Sequence, residues 1–227
     1  AIELDEVVIG DHFCANETIQ GIEFMTEPEV GDKALICDAS SNFLSMPIDI
    51  TKYAMLYAGA QKNVGPAGVA VVILRDDMLE RVPDGLASLL DYKVIAEGDS
   101  LVNTPPCWGI YIISLTTQWM LDQGGLAGIK LLNDEKAKLI YDAIDNSGGF
   151  YKGHATTDCR SNMNVTFTLA NSDLESTFVA QATAAGLDGL QGHRSVGGCR
   201  ASIYNAMEKA SCQALVDFMV AFQQKNG

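Results

Sequence analysis

Basic residues are scarce in this chain. Only 15 of its 227 residues are Lys or Arg, against 29 Asp or Glu, so the formal net charge is −14. That balance argues against general binding to nucleic acid or to an anionic membrane, because nothing would draw the chain toward a polyanion. None of the six cysteines (Cys14, Cys37, Cys107, Cys159, Cys199, Cys212) sits in a C-x-x-C pair. A zinc ribbon or thioredoxin-type centre is therefore not expected, nor is any metal site. The cysteines read instead as small apolar residues in a reducing compartment, which points to the cytoplasm with a plastid or other organelle left open. The longest apolar stretch, residues 107–121, is too short to span a membrane and contains Thr116, Thr117 and Gln118. No signal peptide is visible at Ala1, and acids dominate the start. No repeat or low-complexity segment stands out.

What is present is a large apolar fraction, 48%. A folded chain of this length buries about 70% of the surface its unfolded form exposes, enough for a substantial core without disulfides. A disordered chain would be poorer in apolar residues. The length allows one large domain, or one and a half ordinary ones. Charge is unevenly spread: residues 1–49 hold 11 acids and one base, whereas residues 193–227 hold four bases and two acids. A mostly anionic chain thus keeps a local cationic cluster near its C-terminus. Asn16-Glu17-Thr18 and Asn164-Val165-Thr166 match the glycosylation sequon but are read as chance.

The first third carries short apolar runs that end in polar residues. Lys33 to Cys37, Met55 to Ala60 and Val69 to Leu74 are apolar on both faces, as expected of buried strands in a sheet covered by helices. Ligands collect where the strands of such sheets end, and Asp38 and Lys62 stand just past two of these ends. Asn103-Thr104-Pro105-Pro106 is a strong break. Beyond it the pattern predicts helices over Trp108–Asp122 and Ile129–Asn146 and a strand over Met163–Leu169. Ser172-Asp173-Leu174-Glu175 reads as a capping box ahead of a helix with Leu174, Phe178, Val179 and Ala182 on one face. Ser211 is expected to cap a last helix whose stripe is Leu215, Phe218, Met219 and Phe222. These stripes read as core. A boundary near residues 105–125 separates an α/β part from a smaller α+β part.

Three features could carry chemistry. An isolated loop Lys is ordinarily only solvated, but Lys62 follows an apolar run and precedes a turn with Gly65 and Gly68. Its backbone would be held while its amine points into a strand-end crevice. That suits a Schiff-base lysine, and equally a phosphate loop, although G-x-x-x-x-G-K-[ST] is absent. Asp38 is either a cap or a partner for a buried cation such as a protonated pyridine nitrogen. In Gly192-His193-Arg194-Ser195-Val196-Gly197-Gly198-Cys199-Arg200, one His and two Arg accompany three glycines. Arg presents a fork that matches carboxylate and phosphate oxygens. The plain alternative is a surface turn with incidental charges.

Taken together, six segments occur here in one order: Cys14-Ala15-Asn16-Glu17-Thr18, Asp38 to Ser45, Tyr57 to Gly65, Asn103 to Pro106, Gly192 to Gly198 and Arg200 to Ala206. Along the whole chain they closely resemble the phosphoserine aminotransferase family, class V aminotransferases on the fold-type I pyridoxal phosphate scaffold. The resemblance implies an α/β fold. Residues 1–106 would be part of the large cofactor-binding domain, with a mostly parallel sheet and helices on both faces. Residues 107–227 would be a connecting helix and a small α+β domain. It implies amino-group exchange between O-phospho-L-serine and 2-oxoglutarate, giving 3-phosphohydroxypyruvate and glutamate in ping-pong fashion, as in serine biosynthesis. Lys62 would bond pyridoxal 5'-phosphate through its amine and shuttle protons, and Asp38 would pair with the pyridinium nitrogen. Thr18 and Gln61 would hydrogen-bond the cofactor. Asn103 and Thr104 would reach the cofactor phosphate of a partner subunit, making the active site a property of a homodimer. Arg200 would hold the substrate α-carboxylate. His193 and Arg194 would grip the phosphate of phosphoserine or the distal carboxylate of glutamate.

Family members carry a further N-terminal stretch, which supplies part of the phosphate cup, an aromatic over the ring and another His-Arg pair. None of these can be assigned in this sequence. The chain resembles the C-terminal part of such an enzyme, and the missing part is expected to exist, because a sheet without its first strands would expose apolar edges. The rival readings are another class V enzyme, such as an alanine–glyoxylate aminotransferase or a cysteine desulfurase, and a non-catalytic anion-binding module.

Overall fold

A computed structural model describes residues 10–227; the first nine residues, which open the first expected domain, lie outside the described residues. The chain begins with β1 (Gly10–Cys14) and a two-stranded arm, β2 (Asn16–Glu17) and β3 (Ile22–Glu23). Then come β4 (Ala34–Asp38), β5 (Met55–Gly59) and β6 (Ala70–Leu74). Short helices α1 (Asp76–Leu79) and α2 (Tyr92–Glu97) lead to α3 (Cys107–Asp122) and α4 (Gly125–Asp145). The remainder is β7 (Tyr151–Gly153), β8 (Asn164–Leu169), α5 (Glu175–Ala184), β9 (Cys199–Ser202) and α6 (Lys209–Asn226).

The main sheet has the order β1-β4-β5-β6. The first three strands are parallel, so Cys14, Asp38 and Gly59 finish at the same edge. Strand β6 runs antiparallel to β5. Alternation along β4 divides its side chains. Leu35 and Cys37 point into an apolar cluster with Ala39, Phe43, Tyr53, Leu56, Ala58 and Val64, while Asp38 lies on the other face. A second sheet, β7-β8-β9, is antiparallel and packs against α4, α5 and α6. Its core is aromatic: Phe178 meets Phe167, Tyr151, Phe218 and Phe222 at ring separations of 5.1–5.9 Å. Edge-to-face contacts of this kind favour one packing over others.

A buried polar seam joins the two apolar clusters. The Asn16 side-chain amide donates to Ser41 Oγ at 2.8 Å and to Asn164 Oδ1 at 2.9 Å, and its own oxygen accepts from Ser161 Oγ. Glu23 accepts from the Asn42 side chain and from the backbone N–H of Asn162, both at 3.0 Å. Burial pushes the Glu23 carboxyl above its ordinary range, and those two bonds oppose the shift. Gly21 turns the β2–β3 arm with φ +70°, and a Cβ there would stand 2.5 Å from the Asn164 carbonyl oxygen. Only glycine lets the arm approach β8 that closely.

Several expectations need correction. The run Val69 to Leu74 forms a strand, but it is an edge strand, with Ala70, Val72 and Ile73 exposed rather than buried on both faces. Ser172 does not form a capping box. Asn171 caps a short 3-10 turn over Ser172–Leu174, and Glu175 instead accepts from the backbone N–H groups of Leu169 and Gly198. Ser211 does not cap the last helix, which begins at Lys209 with Glu208 at the cap position and no side-chain cap bond. Cys37, Cys199 and Cys212 are buried as expected, but Cys14 and Cys107 are exposed. Asn16 and Asn164 of the two sequons are almost fully buried, consistent with chance matches. No helix among the described residues is long and apolar enough to cross a membrane, and no cluster of side chains there could hold a metal ion.

Candidate active site

Asp38 ends β4 because the next residues leave the ladder. Its Oδ1 accepts from the backbone N–H of Ser40 at 2.9 Å, closing a turn. Ser40 Oγ in turn accepts from the backbone N–H of Gly59 at 3.0 Å, which fixes the end of β5 against the Asp38 turn. The chain then turns through Ala60–Asn63, with the backbone N–H groups of Val64 and Gly65 bonded to the Ala60 carbonyl. Gln61 and Lys62 are exposed on this turn. Lys62 thus stands in the open at the strand-end edge, not in a crevice as expected. Asn63 is buried and anchors the turn, donating from Nδ2 to the Phe43 carbonyl at 2.7 Å.

Asp38 and Lys62 share one electrostatic neighbourhood with Cys14, the register partner of Asp38. Cys14 is exposed as a residue, but its sulfur is partly enclosed where it bonds the Asn16 carbonyl; the thiol is held above its ordinary range first by that desolvation and then by the Asp38 charge, and Lys62 opposes the shift. A carboxylate and an amine with no ion-pair partner among the described residues therefore stand together at the carboxyl edge of a parallel sheet. That donor set fits pyridoxal phosphate, which needs an amine to bond and an anion at its ring nitrogen.

Arg200 reaches this edge from the second sheet. On β9 it is the register partner of Thr166, and its Nη1 donates to the Thr18 carbonyl at 3.2 Å. The Thr18 turn is set by Glu17, whose carboxylate accepts from the backbone N–H groups of Ile19 and Gln20. Thr18 and Arg200 are thereby brought together, although 182 residues separate them.

His193 and Arg194 lie elsewhere, in a cleft of about 780 Å³ beside the start of α5, with Ser172, Asp173, Ser176 and Gln191. Lys62, Asp38 and Arg200 do not line that cleft. His193 Nδ1 accepts from the Ser195 backbone N–H at 3.3 Å and pairs with Ser195 Oγ at 2.7 Å, so a neutral ring presents its N–H at Nε2. Gly198 holds φ +68° where the loop returns to β9, and a Cβ there would stand 2.7 Å from the Phe167 carbonyl oxygen. Asn103 and Thr104 are exposed on the segment between α2 and α3, with Asn103 Nδ2 bonded to the Thr104 carbonyl.

Sequence reasoning passed over the residues that brace the site. Asn205 donates its backbone N–H to Asn63 Oδ1 at 2.9 Å and its side chain to the Leu44 carbonyl at 2.9 Å. Asn133 donates to Asn205 Oδ1 at 2.8 Å and to the Ser45 carbonyl at 3.1 Å. The Lys136 ammonium, almost fully buried, donates to the carbonyls of Ile203, Tyr204 and Asn205. Burial pulls its pKa down to about 8. Leu44 takes φ +59°, a left-handed conformation unusual for leucine, which the bond from Asn205 holds in place. The signal available was the recurrence of Asn63 and Asn205 in segments already singled out.

Comparison with known proteins gives a consistent result. The class-V aminotransferase family profile matches residues 8–215. Phosphoserine aminotransferase from Lysinibacillus sphaericus is 52% identical over 225 residues, covering 99% of this chain and 62% of that protein. The Geobacillus kaustophilus enzyme of the same name is 52% identical over 94% of this chain and 59% of its own length. The structure of phosphoserine aminotransferase from Bacillus circulans subsp. alkalophilus superposes with a TM-score of 0.97 at 48% identity, over 100% of this chain and 63% of that one. A PLP-bound phosphoserine aminotransferase from Trichomonas vaginalis gives 0.90 at 42% identity, over 96% and 62%. An alanine–glyoxylate aminotransferase from a Nostoc species, at 13% identity and a TM-score of 0.77, shares the fold. The chain spans about three-fifths of the length of the curated relatives it matches.

Proposed function

The chain belongs to the class-V aminotransferase family, and we propose that the protein carrying it exchanges an amino group between O-phospho-L-serine and 2-oxoglutarate with pyridoxal phosphate as cofactor. The observation that carries this reading is the placement of Asp38 at the end of β4 and of Lys62 on the turn that follows the adjacent parallel strand β5, with the Arg200 guanidinium tied to the Thr18 carbonyl just beyond β1. The identities near 50% to phosphoserine aminotransferases support the substrate assignment.

When bound, pyridoxal phosphate supplies an electron sink conjugated to the substrate nitrogen. The residues of this chain do the rest. Lys62 would hold the cofactor through its amine and would carry the proton taken from, and returned to, the substrate α-carbon. Asp38, aimed by the Ser40 N–H, keeps the ring nitrogen protonated. Thr18 and Gln61 would hydrogen-bond the cofactor. Arg200 holds the α-carboxylate, the group common to every amino-acid substrate. His193 and Arg194 would read the distal phosphate or carboxylate, which requires their cleft to be brought to the Asp38–Lys62 edge by the second copy of the chain. Asn103 and Thr104 serve the cofactor phosphate of a second copy, so the active unit is a homodimer. On this reading residues 1–106 are part of the cofactor-binding domain and 107–227 a connecting helix and the small α+β domain, with the polar seam between their cores.

The test is turnover by the full protein with phosphoserine and 2-oxoglutarate, following 3-phosphohydroxypyruvate. Lys62→Ala is expected to abolish it while the fold persists, because Lys62 is exposed and not part of the core. Absence of turnover in the unaltered holoenzyme overturns the assignment.

A further inference from the structure

The face of the main sheet that bears Asp38 carries two more functional groups. Pleating places His12 and Cys14 of β1, Ile36 and Asp38 of β4, and Met55 and Tyr57 of β5 on that face, since His12 pairs with Ile36 and Asp38 pairs with Tyr57. The His12 side chain reaches across β4 over Ile36. Its Nε2 lies 2.9 Å from the Tyr57 hydroxyl, and the rings stack with centroids 5.9 Å apart and planes 23° apart. Tyr57 is the register partner of Asp38 on the same face, and its phenol stands in the field of the Asp38 carboxylate.

From this arrangement we infer that Tyr57 and His12 are positioning residues for Asp38, a donor chain running from His12 Nε2–H to Tyr57 Oη and from Tyr57 Oη–H to the carboxylate. The inference rests on the pyridoxal phosphate reading of Asp38 and Lys62.

The direction of the chain follows from the groups. A carboxylate only accepts, so the phenol must donate toward Asp38. Its oxygen then accepts from His12, which must carry its proton on Nε2. Tyr57 is indeed held above the ordinary phenol range, first by burial and then by the Asp38 charge, so it stays a neutral donor. In this chain the Asp38 carboxylate is held from two directions: Ser40 N–H bonds Oδ1 from the loop, and the phenol of its register partner Tyr57 would donate to it from the sheet face. A carboxylate fixed on both sides has one free direction left for the ring nitrogen. The charged and titratable groups around this chain are Cys14 and Glu17 from the β1–β2 segment, Cys37 within β4 and Lys62 from the turn after β5.

The experiment uses the full-length holoenzyme and reads two quantities other than turnover: the dissociation constant of pyridoxal phosphate from the apoenzyme, and the pH midpoint of the bound cofactor's visible absorbance. Tyr57→Phe keeps the ring and removes only the hydroxyl. It is expected to weaken cofactor binding about three- to tenfold, the scale of one net hydrogen bond, because Asp38 is no longer held in place for the ring nitrogen, and to shift the spectral midpoint. His12→Gln is expected to move both quantities the same way by less. In the Tyr57→Phe background His12→Gln is expected to add nothing, because His12 acts only through the phenol. Unchanged affinity and midpoint in Tyr57→Phe, with normal far-UV dichroism, overturns the inference while leaving the cofactor reading intact. An equal effect of His12→Gln in both backgrounds overturns the chain. Failure of the unaltered protein to bind pyridoxal phosphate overturns the cofactor reading and this inference with it.

Discussion

The backbone N–H of Asn205 donates to Asn63 Oδ1 at 2.9 Å, which ties the segment following the Arg200 strand to the residue immediately after Lys62. The amine and the guanidinium of the site sit on different sheets with different cores. Their separation is therefore set by the few polar bonds of the seam, of which this is the most direct.

Asn205→Ala is expected to weaken that tie. It removes the side-chain bond to the Leu44 carbonyl and strands one donor bond of Asn133 in a buried site. The cost should be about 2–4 kcal/mol, from one lost bond and one incompletely satisfied buried group. Urea denaturation measures it. A loss under 0.5 kcal/mol, roughly the level of a surface substitution, contradicts the bracing role.

The buried Lys136 gives the stability of the seam a pH dependence whose sign is fixed. Its folded pKa of about 8 lies below the ordinary lysine value of 10.5. Between those two values the unfolded chain holds the proton and the folded chain has released it, so this residue's contribution to stability rises with pH across that window. Below pH 8 both states are protonated and the contribution is flat. Cys212 interacts electrostatically with it and has a thiol pushed up by burial. Denaturation of the unaltered protein and of Lys136→Met at pH 7, 8, 9 and 10 isolates the effect. The stability difference should move in favour of the unaltered protein above pH 8, by on the order of 1–2 kcal/mol. Parallel pH curves contradict the assignment.

Substrate selection separates the two arginine positions. Arg200→Lys should lower kcat/KM for all amino-acid substrates together, because an ammonium cannot reproduce a forked contact to the α-carboxylate. Arg194→Ala or His193→Ala should selectively hurt phosphoserine and glutamate and spare the poor turnover of alanine. Each lost charged hydrogen bond corresponds to about 1.5–3 kcal/mol, or roughly ten- to a hundredfold in kcat/KM. Equal losses for phosphoserine and alanine in Arg194→Ala would remove that pair from the role of phosphate reader.

The parts of the molecule legible in the sequence were those that depend on local pattern. The strand ends at Asp38 and Gly59 followed from apolar runs stopping at polar residues, and the stripes on α5 and α6 followed from helical spacing. Where a long-range partner decides, local reading failed. Glu175 looked like the far half of a capping box but braces the Gly198 loop, because that loop lies within reach only in the folded chain. Val69 to Leu74 looked buried because apolar composition does not reveal which strand ends a sheet. The seam was invisible for the same reason: Asn16 and Asn164 are 148 residues apart, and isolated asparagines carry no periodicity. His12 and Tyr57 were passed over because only the parallel register places them on the Asp38 face.

The central claim is that Lys62 is the residue that bonds the cofactor. Borohydride reduction of the full-length protein with pyridoxal phosphate, followed by peptide mass mapping, tests it most directly. The account predicts a single stable pyridoxyl label on Lys62, and retention of cofactor without that label in Lys62→Ala. A label on Lys52, which is paired with Glu27, or on Lys93, which donates to the Val82 carbonyl, with Lys62 unmodified, would contradict it.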